Sequence, residues 1–323
     1  MLPWLLRRVA AGIAIVLAVV TLTFAAVHLA PGAPFLPPEG RPVNPAATER
    51  LRRTFGLDRP LPEQYVRYLV ALGHGELGES FSRRTPVAAM IGQALPNTVL
   101  LAGAALLIDF ALGIAIGVFQ AAHVRRRSDA ALTNLTLFFY SLPTFWLGLV
   151  LLLVFGQWLH WFPVGGITDP VLHDALPLGG RILDRLRHLA LPALTLGLVG
   201  AGGTARFQRA ALLEALGQDY VRTARAKGLP ERAVLVRHAL RDALLPVIAL
   251  LGLALPFLLT GAVLVETVFA WPGLGKLAAD AISARDYPVV LGTTLLVSAA
   301  VVVGSLVADL VTAAADPRIR LSA

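Results

Sequence analysis

One stretch of the sequence has residue types that could bind phosphate, the glycine-rich run Gly273-Leu-Gly275-Lys276. A phosphate-binding loop also needs a glycine six positions before the lysine and a serine or threonine directly after it. Ala270 and Leu277 occupy those two positions, so we predict no nucleotide site there. The HExxH pattern of zinc hydrolases and the GxSxG pattern of serine hydrolases are both missing from the sequence.

Metal and thiol chemistry also find little support. The sequence has no cysteine, which excludes disulfides, thiolate catalysis and cysteine-ligated metal sites. Its seven histidines are scattered without the spacing that metal ligands show. We therefore predict no catalytic residue and no cofactor bound by this chain.

Asp109 is a further candidate for chemistry, because it interrupts a long apolar stretch. A carboxylate inside a membrane span is a functional candidate by default, for example as an ion or proton site. It could equally be a polar residue that hydrogen-bonds to a neighbouring helix or faces a wet cavity. Glu266 and Asp309 lie near the ends of apolar stretches, which favours the membrane interface. Asp109 and Glu266 are the two candidates for a translocation path.

The composition around these residues is that of a membrane protein. Of the 323 residues, 56% are hydrophobic and 15% are charged, and the mean hydropathy is +0.71. A net charge of +8 fits a bacterial inner-membrane protein that faces anionic lipid. The sequence has no basic patch interleaved with exposed aromatic residues, so we expect no nucleic-acid partner.

Six apolar stretches are candidates for membrane spans. They are Val9–Ala30, Thr98–Ala122, Leu132–Leu159, Leu189–Ala205, Ala243–Val265 and Val289–Leu310. Pro143 is expected to kink the third span, and the glycine and alanine content of the fourth predicts a central position. We interpret the first as an uncleaved span. The predicted fold class is an all-α polytopic membrane protein with six transmembrane helices.

The even number of spans places both termini on one side of the membrane, and the excess of basic residues makes that side cytoplasmic. The polar segment that follows the first span is then external, and it exceeds the length over which this charge rule applies. Its signals predict helices that begin at Pro45, at Pro62 and after Thr85-Pro86, the first two ending at Gly56 and Gly73. The predicted organisation is 1–30 (tail and first span), 31–97 (external helical segment), 98–313 (remaining spans, with a cytoplasmic loop at 206–242) and 314–323 (cytoplasmic tail).

The 206–242 loop is the most charged part of the chain. Its basic residues, which hold the loop on the cytoplasmic side, are Arg206, Arg209, Arg222, Arg225, Lys227, Arg232, Arg237 and Arg241. Asp219 can cap a short helix over about 220–227, and Gly228 can end it in a left-handed conformation. Pro230 suits the first turn of a second helix that continues into the fifth span. A short helix joined rigidly to a span could act as a lever. Alternatively, the loop rests on anionic lipid headgroups.

Two parts of this loop, YVRTARAKGL and RHALRDALLPV, resemble the coupling loop of permease subunits in binding-protein-dependent ABC importers, specifically the dipeptide/oligopeptide/nickel group. The general family pattern has Glu-Ala-Ala and a later Gly at positions 222–224 and 228. Arg222 and Thr223 depart from that pattern, but Arg-Thr-Ala-Arg-Ala-Lys-Gly is the form of the peptide-type branch. The external stretches GLDRPLPEQYVRYL and GELGESF resemble the first external loop of the B-type subunits. Residues 266–275, 285–288 and the DPRIRLSA terminus resemble further family signatures.

This resemblance implies a set of ATPase-coupling residues in and after the short helix. They are Asp219, Tyr220, Arg222, Thr223, Ala224, Arg225, Ala226, Lys227, Gly228, Leu229, His238 and Arg241. The implied partners are a homologous second permease subunit, two ATP-binding subunits that hold ATP and Mg²⁺, and an external substrate-binding protein. Membrane lipid is a further partner of this chain. The implied function is that of a permease subunit, not itself an enzyme, of an ATP-driven peptide importer.

A self-contained secondary transporter or channel is the alternative, with Asp109 as its ion or proton site. Two features of the sequence argue against it. The chain shows no inverted repeat, and only one carboxylate lies deep in a predicted span. The coupling-loop resemblance instead favours the importer subunit.

Overall fold

The computed structural model describes residues 2–30 and 45–315, and within these ranges the chain forms helices and turns without a β-strand. Residues 31–44 of the predicted external segment and 316–323 of the predicted tail lie outside the described residues. The α-helices are α1 (Leu2–Leu29), α2 (Pro45–Thr54), α3 (Leu61–Gly73), α4 (Val87–Ala122), α5 (Arg127–Ser141), α6 (Thr144–Leu151), α7 (Leu178–Leu216), α8 (Asp219–Ala226), α9 (Glu231–Ala233), α10 (Leu240–Ala243), α11 (Leu245–Val268), α12 (Leu274–Ser283) and α13 (Tyr287–Ala315). Leu152–Trp158 and Val234–Ala239 are π-helical, and His173–Ala175 is a 3₁₀ turn.

Four described helices are long and apolar enough to cross a membrane by themselves. They are Trp4–Leu29 of α1, Val87–Ala122 of α4, Leu178–Leu216 of α7 and Tyr287–Val307 of α13. A fifth span results if α5 and the π-extended α6 are taken together. The 24-residue α11 lies at the position of the predicted fifth span.

The third predicted span is broken rather than kinked. α5 and α6 meet at 102°, a far larger bend than the kink expected at Pro143. Pro143 lies outside both helices, in an extended conformation directly before the first residue of α6. Because proline has no N–H and disfavours a helical conformation in the residue before it, α5 ends at Ser141 and the chain turns.

The α4–α7 pair forms the centre of the bundle. Glycines allow the two backbones to approach closely, with Gly113 against Thr204 and Gly117 against the carbonyl of Ala205. In the most apolar 18-residue stretch of α7, 67% is buried inside the protein. The corresponding share is 17–28% in the other three single spans. The central position predicted for the fourth span is therefore confirmed, although α7 begins at Leu178, well before the predicted start.

The segment after the first span contains its predicted helices and lies on α1. Tyr65 of α3 hydrogen-bonds to Thr21 at 2.6 Å, and Gln64 lies 3.2 Å from the His28 ring nitrogen. The third predicted helix does begin after Pro86, but it continues as the 36-residue α4 without a break before the second predicted span. α13 packs against α1, where Arg8 and Asp309 form a 2.5 Å ion pair.

Candidate functional site

α8 is attached to the bundle by one narrow apolar face. Val221 and Ala224, three residues apart, are 0% and 5% exposed. They belong to a buried cluster with Leu212 and Ala215 from the last turns of α7. Since residues three apart share one face of a helix, the opposite face of α8 is left without contacts to the bundle.

Tyr220 adds a polar contact, because its side chain lies beside Asp242 of α10. Burial raises the pKa of Tyr220 to about 12, and the neighbouring Asp242 contributes to the rise as the smaller cause. The phenol of Tyr220 therefore stays protonated throughout the physiological range.

The start of α8 differs from the sequence prediction. Gln218 is the N-cap residue, and no side chain caps this end, so the prediction that Asp219 caps the helix is wrong. Asp219 is the first helical residue, and its 95% exposed carboxylate lies 3.4 Å from Arg222. An acid in the first turn still complements the positive end of the helix dipole.

The end of α8 agrees with the prediction. Gly228 has φ +79°, the left-handed conformation expected of it. The amide of Gly228 donates to the Arg225 carbonyl at 2.9 Å, and the amide of Leu229 donates to the Ala224 carbonyl at 3.4 Å. These two bonds define a Schellman motif. A Cβ at position 228 would meet no atom within 4 Å, so the backbone conformation alone requires glycine here.

Arg225 crosses the turn that Gly228 forms. Its Nε and Nη2 donate to the two carboxylate oxygens of Glu231 at 3.1 and 2.6 Å. These hydrogen bonds hold the pKa of Glu231 below its usual range. Arg225, predicted as a coupling residue, is therefore engaged within its own chain. The pairing has no sequence signal, because it depends on a chain reversal over six residues.

The other predicted residues of the short helix and its turn are exposed. They are Arg222, Thr223, Ala226, Lys227 and Leu229. Leu229 and Val236 are large exposed apolar side chains on the same stretch of chain as these basic residues. A mixed basic and apolar surface of this kind fits a protein partner at least as well as lipid headgroups.

The second helix after Pro230 is less regular than predicted. After the single turn of α9, the chain is π-helical from Val234 to Ala239, and α10 follows directly. His238 is half-buried within the π-helical part, and Arg241 is exposed on α10. Apart from a turn at Leu244, helical structure runs from Glu231 into α11. A nearly continuous helical connection therefore leads from Glu231 into α11, and α8 is joined to it by the turn over residues 227–230.

An ion pair between a half-buried arginine and a buried aspartate, which the sequence did not predict, joins α7 to α5 near this site. Arg209 donates from Nε and Nη2 to the two oxygens of Asp129 at 3.1 and 2.9 Å. The amide of Arg125 also donates to this carboxylate, which is 5% exposed. The partners lie 80 residues apart, and Arg209 was distinguishable in the sequence only as one of many basic residues.

Asp109 lies in the α4–α7 interface. Thr204 donates its hydroxyl proton to Asp109 at 2.7 Å, and Gly200 leaves room for the carboxylate. These are the contacts of a polar residue bonded to a neighbouring helix. Across residues 2–30 and 45–315, no three potential metal ligands come together, so Asp109 has no partners there for a metal site. Its place on a translocation path stays a prediction.

Glu266 is fully buried in the bundle near the end of α11, and its expected position at the membrane interface stays a prediction. It accepts hydrogen bonds from the Thr98 hydroxyl at 2.7 Å and from the Lys276 amide at 2.9 Å. The amide belongs to the first turn of α12, whose positive end favours a carboxylate. Glu266 therefore fastens α11 to α4 and α12, and its role on a translocation path remains a prediction.

Asp286 is a second buried anchor, and sequence reasoning missed it. The carboxylate is 1% exposed and accepts hydrogen bonds from the hydroxyls of Ser80 and Ser82 at 2.5 and 2.7 Å. It also accepts from the amides of Phe81 and Ser82 at 2.9 and 3.0 Å. The GELGESF and Arg285–Pro288 stretches, which each resemble a family signature, therefore form one structure.

Comparison with known proteins identifies the family. Residues 113–321 match the family described as binding-protein-dependent transport system inner membrane component. Residues 1–102 match the family that describes the N-terminal part of such membrane components. The chain belongs to this family of inner membrane components.

Relatives of this inner membrane component match over nearly its whole length. The oligopeptide transport system permease protein AppB of Bacillus subtilis is 39% identical, with 99% of each chain covered. The dipeptide transport system permease protein DppB of Escherichia coli K12 is 39% identical, and the di/tripeptide transport system permease protein DppB of Pseudomonas aeruginosa is 42% identical, both with 99% coverage of each chain. The resemblance seen in the sequence is confirmed. The protein is a multi-pass transport subunit of the bacterial inner membrane, not an enzyme.

Proposed function

We propose that this chain couples ATP hydrolysis on partner subunits to the import of short peptides, and that α8 is the contact through which force arrives. The observation that carries the proposal is the asymmetry of α8. One face is buried through Val221 and Ala224, while the basic face is exposed and the chain beyond it leads helically into α11. The names of the relatives, which specify oligopeptide, dipeptide and di/tripeptide transport, support peptides as the cargo.

The proposed topology has six spans: α1, α4, the broken α5–α6 pair, α7, α11 and α13. Both termini and α8 are cytoplasmic, and the segment between α1 and α4, together with α12, is external. The basic residues of the 206–242 loop support this orientation, since such loops stay inside. A single cysteine at exposed Thr85 should react with an impermeant maleimide from outside, whereas one at exposed Ser128 should not. External labelling at Ser128 would contradict the topology.

The proposed assembly contains a homologous second permease subunit, two ATP-binding subunits that carry ATP and Mg²⁺, and an external substrate-binding protein. Closure of the ATP-binding subunits displaces α8 as a rigid body. The displacement passes through α9 and α10 to α11. The Arg209–Asp129 pair ties the cytoplasmic end of α7 to α5, so these two helices move together.

Reconstitution separates this function from that of a secondary transporter. The purified chain alone in liposomes should neither hydrolyse ATP nor move solute down an ion or proton gradient. Adding the partner subunits and the binding protein should give ATP-dependent uptake of short peptides. Asp109→Asn should weaken that uptake only partly, because its hydrogen bond to Thr204 is altered but no proton needs to be carried. Gradient-driven uptake by the chain alone, abolished by Asp109→Asn, would overturn the proposal.

A further inference from the structure

A groove runs along α12, between this helix and the first turns of α4. It consists of two adjoining cavities of about 340 and 300 Å³. The cavities share four lining residues, Arg83, Met90, Leu277 and Asp280. One cavity extends to Asn97 and the other to Ser82, so the groove follows α12 for most of its roughly 15 Å length. An extended peptide of two or three residues, about 7–11 Å long, fits within this length.

The groove is lined by two cations, Arg83 and Lys276, and by two carboxylates, Asp280 and Asp286, of which Asp286 is buried and already bound by Ser80 and Ser82. The Lys276 ammonium lies 3.1 Å from both carboxylate oxygens of Asp280, and Arg83 lies 3.9 Å from the same carboxylate. All three side chains are partly exposed. Exposed pairs of this kind contribute little to stability, so the fold does not depend on them and their charges can serve a ligand.

Between these charges the groove is apolar. Met90 is half-buried and Leu277 is buried, and together they provide a hydrophobic floor. Both ends of the groove are rigid, since Glu266 binds the amide of Lys276 and Asp286 binds the amide of Ser82. A site held in place before its ligand arrives loses less entropy on binding.

We propose that this groove binds the zwitterionic ends of a short peptide on the external side, ahead of translocation. The inference rests on the proposed function for the identity of the cargo. The peptide carboxylate pairs with Arg83 and Lys276, its ammonium group pairs with Asp280, and a side chain lies on Met90 and Leu277. Arg83, Lys276 and Asp280 are thus positioning residues for free peptide termini.

The test uses a single cysteine, which the native chain makes unambiguous because it has none. Gln93 is exposed and lines the groove, so Gln93→Cys in the complete complex reports access to it. Millimolar alanyl-alanine, added without binding protein, should slow maleimide labelling of this cysteine. N-acetylated, C-amidated alanyl-alanine should not. Lys276→Gln and Arg83→Gln should each raise the peptide concentration for half-protection by about tenfold or more.

The matched control is Arg53→Gln, which removes an exposed cation that is paired with Glu49 and does not line the groove. It should leave protection unchanged. If a Gln93→Cys complex still imports peptide but is labelled equally with and without peptide, the groove does not bind the peptide. That result would leave the proposed function intact. A complex that imports no peptide at all, even with native Gln93, would instead overturn the proposed function.

Discussion

The two ends of the bundle are held together by different kinds of interaction. At the α12 end, the buried carboxylates of Glu266 and Asp286 each bind hydroxyl and amide groups from other elements. At the α8 end, the short helix depends on Val221 and Ala224, and its ion pairs are exposed. Leaving a buried polar group unpaired is costly, whereas an exposed ion pair contributes about 1 kcal/mol at most.

This difference separates a fixed structure from an exchangeable one. The α12 end cannot move without breaking buried hydrogen bonds, so it holds its groove and the Ser80–Ser82 loop in one arrangement. The α8 end can exchange its exposed contacts for those of a partner at little cost. We infer that substrate meets the rigid end and that force enters at the α8 end.

The largest effect is expected for Glu266→Ala. The change leaves the Thr98 hydroxyl and the Lys276 amide without their acceptor, at about 1–3 kcal/mol for each group, and it adds a cavity. We expect the yield of folded protein to collapse in fluorescence size-exclusion chromatography. Glu266→Gln keeps one acceptor oxygen and should retain part of the yield. A normal melting temperature for Glu266→Ala would contradict the anchoring role.

Asp286→Ala should release the external loop while leaving the bundle folded. Its carboxylate holds Ser80, Phe81 and Ser82, directly before the trypsin sites at Arg83 and Arg84. A loss of about 1.4 kcal/mol or more raises the opened fraction at least tenfold. We therefore expect trypsin added from outside to nick the loop about tenfold faster, with Asp286→Asn in between. An unchanged nicking rate would show that other contacts hold the loop.

Gly228→Val should uncouple the complex and leave the chain inserted. The left-handed conformation at φ +79° costs an ordinary residue about 1–2 kcal/mol, and a β-branched residue suffers most. The measurement is ATP hydrolysis with and without loaded binding protein. Gly228→Val should lose the stimulation, while Gly228→Asn, a residue that tolerates this conformation, should keep most of it. If Gly228→Val keeps the full stimulation of ATP hydrolysis by loaded binding protein, the turn at Gly228 has no role in coupling.

The smallest effect on stability is expected for the Arg225–Glu231 pair. A charge swap tests whether Arg225 only pairs with Glu231 or also contacts the ATP-binding subunit. Arg225→Glu should lower stability by less than about 1 kcal/mol, because the pair is exposed. Adding Glu231→Arg should restore the melting temperature by re-forming the pair. It should not restore substrate-stimulated hydrolysis if the charge at position 225 also meets the ATP-binding subunit. If the double variant recovers both the melting temperature and the substrate-stimulated hydrolysis, Arg225 acts only through its ion pair with Glu231.

Local features of the fold were predictable from the sequence, because their causes are local. Gly228 ends α8 as glycine does at a helix terminus, and the small residues of α7 place it at the centre. The proline at position 86 correctly predicted the start of α4. The bend at Pro143 was underestimated, since the size of a bend depends on what the two helices pack against.

The anchors could not be found in this way, because their partners are far apart in the chain. Asp286 meets Ser80 across 206 residues, and Arg209 meets Asp129 across 80. Asp219 satisfies the composition of a cap, yet Gln218 takes that position and Asp219 becomes the first helical residue, because the exact first residue of a helix is not fixed by composition. The sequence alone showed that the GELGESF and Arg285–Pro288 stretches each resemble a family signature, but not that they bind each other.

The central claim is that α8 contacts the ATP-binding subunits, and site-directed cross-linking tests it most directly. A cysteine at exposed Ala226, derivatised with a maleimide photo-cross-linker in the complete complex, should capture an ATP-binding subunit. The control cysteine at exposed Ser283 on α12 should not capture one. The account predicts that capture at Ala226 responds to ATP. If Ala226→Cys captures no ATP-binding subunit while the same complex still imports peptide with ATP, the account is contradicted.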